Sequence, residues 1–129
     1  MRETVREEAA AAGLPRARVA EVVLAVHEVA MNAVVHGEGE GAVRVWEEED
    51  ELLCEVEDHG SGIPDPLAGT VPPEASHPRG RGLWIARQLC DRVEIESEPG
   101  ETRVRLHVRL SRRLVGAEGR RTGPPRFDL

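Results

Sequence analysis

The sequence predicts an α/β two-layer sandwich of the α+β kind, with a mostly antiparallel mixed sheet carrying helices on one face. Three observations predict it. A long helical pattern precedes two short alternating strands, a second helical pattern precedes two more, and Gly- and Pro-rich segments punctuate the transitions. With 129 residues, 40% of them hydrophobic, the chain can bury one modest core. One domain over residues 1–110 and a flexible tail over 111–129 are therefore expected.

"ETVREEAAAAG" reads as a first short helix stopped by Gly13, and Pro15 stands where a new helix can begin. The second helix is predicted from Arg16 to Val35, with Val19, Val22, Val23, Val26, Ala30, Ala33 and Val34 on its apolar face and Gly37 as its stop. After "GEGEG", the segments "AVRVW" and "LLCEVED" read as two strands of a hairpin around an acidic turn. Leu52, Cys54 and Val56 share one face, and Asp58 inherits that inward parity. Glu55 and Glu57 take the opposite face, where water would make their charge inexpensive. Between Asp58 and Gly82 the Gly and Pro density predicts a long loop, and loops of that length in compact domains are usually functional or disordered. A third helix is predicted over Leu83–Cys90. "RVEIES" then pairs through "EPGE" with "TRVRLHVRL". There Thr102, Val104, Leu106, Val108 and Leu110 face one way, while Arg103, Arg105, His107 and Arg109 face Glu94 and Glu96 as cross-strand charge pairs. The tail "SRRLVGAEGRRTGPPRFDL" has no sustained period.

A net charge of -7 and a pI near 5.3 argue against direct nucleic-acid binding, which draws its affinity from clustered Lys and Arg. No apolar run approaches membrane-spanning length, and the charged N-terminus lacks the apolar segment of a secretory signal, so no membrane association and a cytoplasmic location are expected. Cys54 and Cys90 sit in apolar patterns without CxxC spacing, which predicts buried, reduced thiols.

Three polar features stand out from this frame: the stripe Glu28/Asn32/His36 at intervals of four, the strand-end acid in "EDHGSGIPD", and the glycine pair in "PRGRGLW". Singly, each has an ordinary reading as a solvated helix face, a turn and a chance Gly-x-Gly. Together and in this order they resemble the GHKL ATPases, the superfamily of gyrase, Hsp90-type chaperones, histidine kinases and MutL-type repair proteins. "HEVAMNAVVHG" looks like the N box, "EDHGSGIPD" like the Asp-x-Gly-x-Gly box and "RGRGLWIARQL" like the second glycine box, over roughly Val19 to Val108. The compact N box ending in His-Gly and the run into "LCDRVEIES" most resemble the bacterial anti-sigma factor serine/threonine kinases, actinobacterial regulators in particular.

That resemblance implies the Bergerat ATP-binding fold, with ATP and Mg²⁺ as cofactors. It implies Asn32 as the Mg²⁺ ligand, a role suited to a hard side-chain carbonyl oxygen, and Glu28 as the catalytic general base one turn earlier. His36 would stand near the phosphates or serve structurally at the helix end. Asp58 would accept the adenine amino hydrogen, with Gly60 and Gly62 giving the backbone close access and Ile63 packing on the base. Gly80 and Gly82, with Leu83 following, would offer backbone N–H groups to phosphate, and either Arg79 or Arg81 would meet the γ-phosphate. The implied function is phosphorylation of an anti-sigma-factor antagonist, with a sigma factor as the second partner and partner switching as the logic. A homodimer is also compatible with the resemblance. The alternative is a non-catalytic ATP-binding sensor or interaction module. The family normally has a strand before its first helix, and its loop between glycine boxes is less short and proline-rich than residues 62–80.

Overall fold

The computed structural model describes residues 1–36, 41–60, 69–70, 78–110 and 126–128. Its elements are α1 (Arg2–Ala11), α2 (Arg16–His36), β1 (Gly41–Glu48), β2 (Glu51–Asp58), α3 (Pro78–Leu89), β3 (Arg92–Glu98), β4 (Glu101–Arg109) and β5 (Arg126–Asp128). The sheet order is β3-β4-β2-β1-β5, with antiparallel pairing at every interface.

Local chemistry sets the boundaries. Gly13 adopts φ 94, and the bonds Gly13 N–H to Ala10 O (3.0 Å) and Leu14 N–H to Ala9 O (3.3 Å) form the paired C-terminal closure that a left-handed residue permits. Pro15 precedes α2, and its carbonyl accepts the Val19 N–H at 2.9 Å. The β3–β4 turn places Pro99 before Gly100 at φ 82, the arrangement a type II turn requires. In the β1–β2 turn a non-glycine, Glu49, takes φ 54.

The helices cover one sheet face. Val22, Val26 and Val29 of α2 pack with Val43 and Val45 of β1, Leu52, Cys54 and Val56 of β2, and Leu106 and Val108 of β4 in one buried cluster, which α1 joins through Val5 and Ala9. Arg18 links the start of α2 to the end of α3, reaching the Leu89 carbonyl and, at 3.3 Å, the Asp91 carboxylate. Cys54 and Cys90 are both buried free thiols in this core. Burial pushes both thiols up, Cys90 to about 12, so neither is a thiolate nucleophile at neutral pH.

Four expectations change. Val34, expected on the core face, is 46% exposed, because the core stripe of α2 turns away from that position by the helix end. Glu55 and Glu57, expected to face water, retain only 5% and 9% of their exposure and are held by arginine. Arg105 stands opposite Glu94 in register yet bonds Glu55 on β2 through Nε (3.1 Å) and Nη2 (2.7 Å), leaving Glu94 to His107 and Arg92. The third helix begins at Pro78 rather than Leu83, since proline is well suited to a first helical position and "RGRG" continues the turn it starts.

Within 111–129, where a flexible tail was expected, Arg126–Asp128 pairs with Ala42–Arg44 as the edge strand of the sheet. Residues 111–125 lie outside the described residues. Among the described residues, no helix is long and apolar enough to cross a membrane.

Candidate functional site

Glu28 and Asn32 lie on α2 as half-buried residues between its core stripe and solvent. One helical turn separates them, so their side chains project from the same face. His36 is the last residue of α2; its side chain lies outside the described residues. The sequence thus places the stripe on one helix face, and two further segments carry the other predicted residues.

The first is the start of α3. Gly82 is buried, and a Cβ built on it would stand 3.1 Å from the Glu28 carbonyl oxygen and 3.8 Å from the Glu28 Cβ. Glycine therefore permits the crossing of α2 and α3 at Glu28 itself. Arg79 and Gly80 fall in the first turn of α3, where backbone N–H groups lack intrahelical acceptors. Arg81 is exposed. Gly82 and Leu83 belong to the second turn, and Leu83 is only 1% exposed within the core. Gly82 was expected just before the helix and instead lies inside α3, because the helix already starts at Pro78.

The second segment is the end of β2. Asp58 is the last strand residue, opposite Gly41 on β1 and Thr102 on β4. Only residues 37–40 separate α2 from Gly41, so the C-terminal end of α2 and the Asp58 end of the sheet are joined by a short connection. Asp58 is half-buried, and its Oδ1 accepts the Gly60 N–H at 2.9 Å. This local turn orients the carboxylate while its second oxygen keeps full acceptor capacity. Gly60 is buried; Gly62 and Ile63 lie outside the described residues.

The sequence reading missed two contributors. Thr102, 1% exposed, stands directly opposite Asp58 on β4 and shares a 3.2 Å hydroxyl contact with Ser97. Its signal was a hydroxyl at the head of an otherwise aliphatic inward row. Gly69 is buried at φ 84 against α3, a contact between segments that no local pattern announces.

The donor chemistry suits a magnesium ion carried by phosphate. The described residues contain no group of three His, Cys, Asp or Glu side chains placed to hold a metal. A neutral Asn32 carbonyl would offer such an ion one hard oxygen. The free N–H groups of the α3 first turn suit anionic oxygens. A groove of about 380 Å³ between α1 and α2, lined by Arg6, Ala10, Leu14, Arg16, Val19 and Ala20, contains none of these residues and belongs to a different surface.

Comparison with known proteins identifies the family and the fold. A family described as "Histidine kinase-like ATPase domain" matches residues 1–108. The anti-sigma F factor of Clostridium acetobutylicum is 34% identical over 89 residues, which cover 63% of this chain and 62% of that protein. The histidine kinase domain of the Erythrobacter litoralis EL346 blue-light activated histidine kinase superposes with a TM-score of 0.59 and 25% identity, covering 76% of this chain and 47% of that one. The chain thus spans about three fifths of the curated relative and about half of the solved one. With the N-box stripe on α2, the strand-end acid on β2 and the glycine box opening α3, all within the matched residues, the chain belongs to the histidine kinase-like ATPase domain family of the GHKL superfamily, with anti-sigma factor relatives.

Proposed function

We propose that this chain is an ATP- and Mg²⁺-dependent anti-sigma factor serine/threonine protein kinase, which phosphorylates an anti-sigma-factor antagonist and controls a sigma factor by partner switching. The observation that carries the proposal is the crossing of α3 over Glu28, where Gly82 of the glycine box lies against the Glu28 backbone carbonyl of the N box. The anti-sigma F factor relative supplies the partner class.

Bound Mg·ATP would supply a transferable γ-phosphoryl group whose charge the metal shares. The chain's own residues receive and orient it. Asn32 would present a carbonyl oxygen to the metal, and the first turn of α3 would present N–H groups to phosphate oxygens. Asp58 accepts from an adenine amino group through the oxygen that Gly60 leaves free. Glu28, one turn from Asn32, accepts the proton of the attacking Ser or Thr hydroxyl and aligns its oxygen for in-line attack. The nucleotide state biases which partner is held only through different affinities of the two states for each partner.

The experiment is incubation of labelled ATP and Mg²⁺ with the protein and antagonist proteins of the same organism. Label on an antagonist Ser or Thr is expected, with Glu28→Gln abolishing transfer while retaining nucleotide. Retained binding with no transfer to any antagonist by the wild type would overturn the kinase and leave a nucleotide-binding interaction module.

A further inference from the structure

Residues 69 and 70 lie between the end of β2 and the start of α3, and Gly69 lies closer to its neighbours than Gly82 does to Glu28. A Cβ built on Gly69 would stand 2.6 Å from the Leu83 carbonyl carbon, 2.7 Å from the Leu83 Cβ and 2.8 Å from the Trp84 backbone nitrogen. All three belong to the helix backbone or its first side-chain atom, so no rotamer change relieves the collision. Leu83 cannot retreat, because its side chain is already packed in the core. The helix carrying Leu83 is meanwhile packed closely on α2, where a Cβ at Gly82 would stand 3.1 Å from the Glu28 carbonyl oxygen. A side chain at 69 must therefore push its own segment off α3.

We propose that Gly69 is a positioning residue: its bare backbone rests against Leu83 and Trp84, and this seating fixes α3, whose first turn receives phosphate. The inference rests on the nucleotide-site reading and extends it to a residue outside the three boxes. Gly69 touches no ligand itself. It acts through α3, whose other flank rests on Glu28.

Two features of Gly69 separate experimentally, its φ of 84 and its lack of space. Gly100, at φ 82 with nothing within 4 Å of a built Cβ, shares only the first. Asn tolerates a left-handed backbone better than Ala, yet it carries the same Cβ. The test compares Gly69→Ala, Gly69→Asn and Gly100→Ala in a Trp46→Phe background, where half-buried Trp84 is the remaining tryptophan. Emission of Trp84 reports the seating, and calorimetric titration with Mg·ADP reports the site.

Both Gly69 variants are expected to shift Trp84 emission to the red and to weaken Mg·ADP at least about tenfold, since small displacements of positioning groups carry large losses. Gly100→Ala is expected to leave both readouts at the background values. Restoration by Asn would assign the effect to backbone angle and overturn the inference. Unchanged emission, or shifted emission with unchanged affinity, would overturn it as well. A background protein that takes up no nucleotide refutes the site reading and the positioning role together. A background that binds, with Gly69 variants that bind equally, refutes Gly69 alone.

Discussion

Glu55 retains 5% of its exposure on the sheet face away from the helices, held between Arg44 at 3.1 Å and Arg105 at 2.7 Å. The sequence parity placed it on that face correctly but expected water there, because the shielding comes from long side chains on β1 and β4 rather than from any periodic element. Arg105 also lies 5.4 Å from the Trp46 ring centroid, close enough for a cation–π contact. Removing the arginines strands a desolvated carboxylate, whereas removing the charge of Glu55 frees arginines that still reach water. Arg44→Ala/Arg105→Ala is therefore expected to cost about 2 kcal/mol, discounted from a fully buried pair because both arginines are partly exposed, and Glu55→Gln distinctly less. Urea unfolding checks the order, and equal losses would refute it. On the same face His107 meets Glu51 at 3.2 Å and Glu94 at 2.5 Å, one carboxylate on each ring nitrogen. The hydrogen bond from His107, with Arg92 assisting, holds the Glu94 carboxyl below its ordinary value of 4.5. A depressed folded value means that Glu94 adds stability above pH 4.5 and loses it as pH falls through the lowered value. His107→Leu should flatten the acid limb of a stability–pH profile, and an unchanged limb would place the dependence elsewhere.

At the scale of elements, the strands and α2 were legible because alternation and helical spacing report burial directly, as in Leu52, Cys54 and Val56 or in Val19, Val22, Val23 and Val26. The start of α3 was not. Glycines in "PRGRG" mimic a loop, and only the packing of Gly82 on Glu28 shows why a helix keeps them. Gly82→Ala should consequently open the α2–α3 crossing, lowering stability by about 1–3 kcal/mol and weakening Mg·ATP, although alanine is the better helix former. A stabilised variant would show that the crossing has slack. The β1–β2 turn makes the opposite case. Glu49 pays for a left-handed conformation in a two-residue hairpin, between Glu48 and Glu51 paired in register. Glu49→Gly should raise stability by about 1 kcal/mol, since relief of the left-handed cost exceeds the added freedom of the unfolded chain. Thermal melting decides it, and a lowered midpoint would mean that the Glu49 side chain contributes more than its backbone costs.

The three boxes lie far apart in sequence, and they announced the family because each combines residue type, spacing and order. What they could not announce is the scaffold around them. β5 is three residues long, so it is held by its register with Ala42, Val43 and Arg44 and leaves no periodic signature. Thr102 is likewise ordinary until β4 places it opposite Asp58. The proposed site, divided among α2, β2 and α3, would couple ligand binding to global stability, because unfolding separates all its parts. Mg·ATP at about a hundred times its Kd should add about 2.7 kcal/mol to the unfolding free energy. Asn32→Ala should reduce that gain and remove its dependence on Mg²⁺, whereas Asp58→Ala should reduce it whether or not the metal is present, since its proposed contact is to the base. Denaturation with and without Mg²⁺ separates these behaviours. Identical losses in both variants would mean that metal and base recognition are not divided between α2 and β2, and absence of any gain in the wild type would remove the nucleotide from this fold altogether.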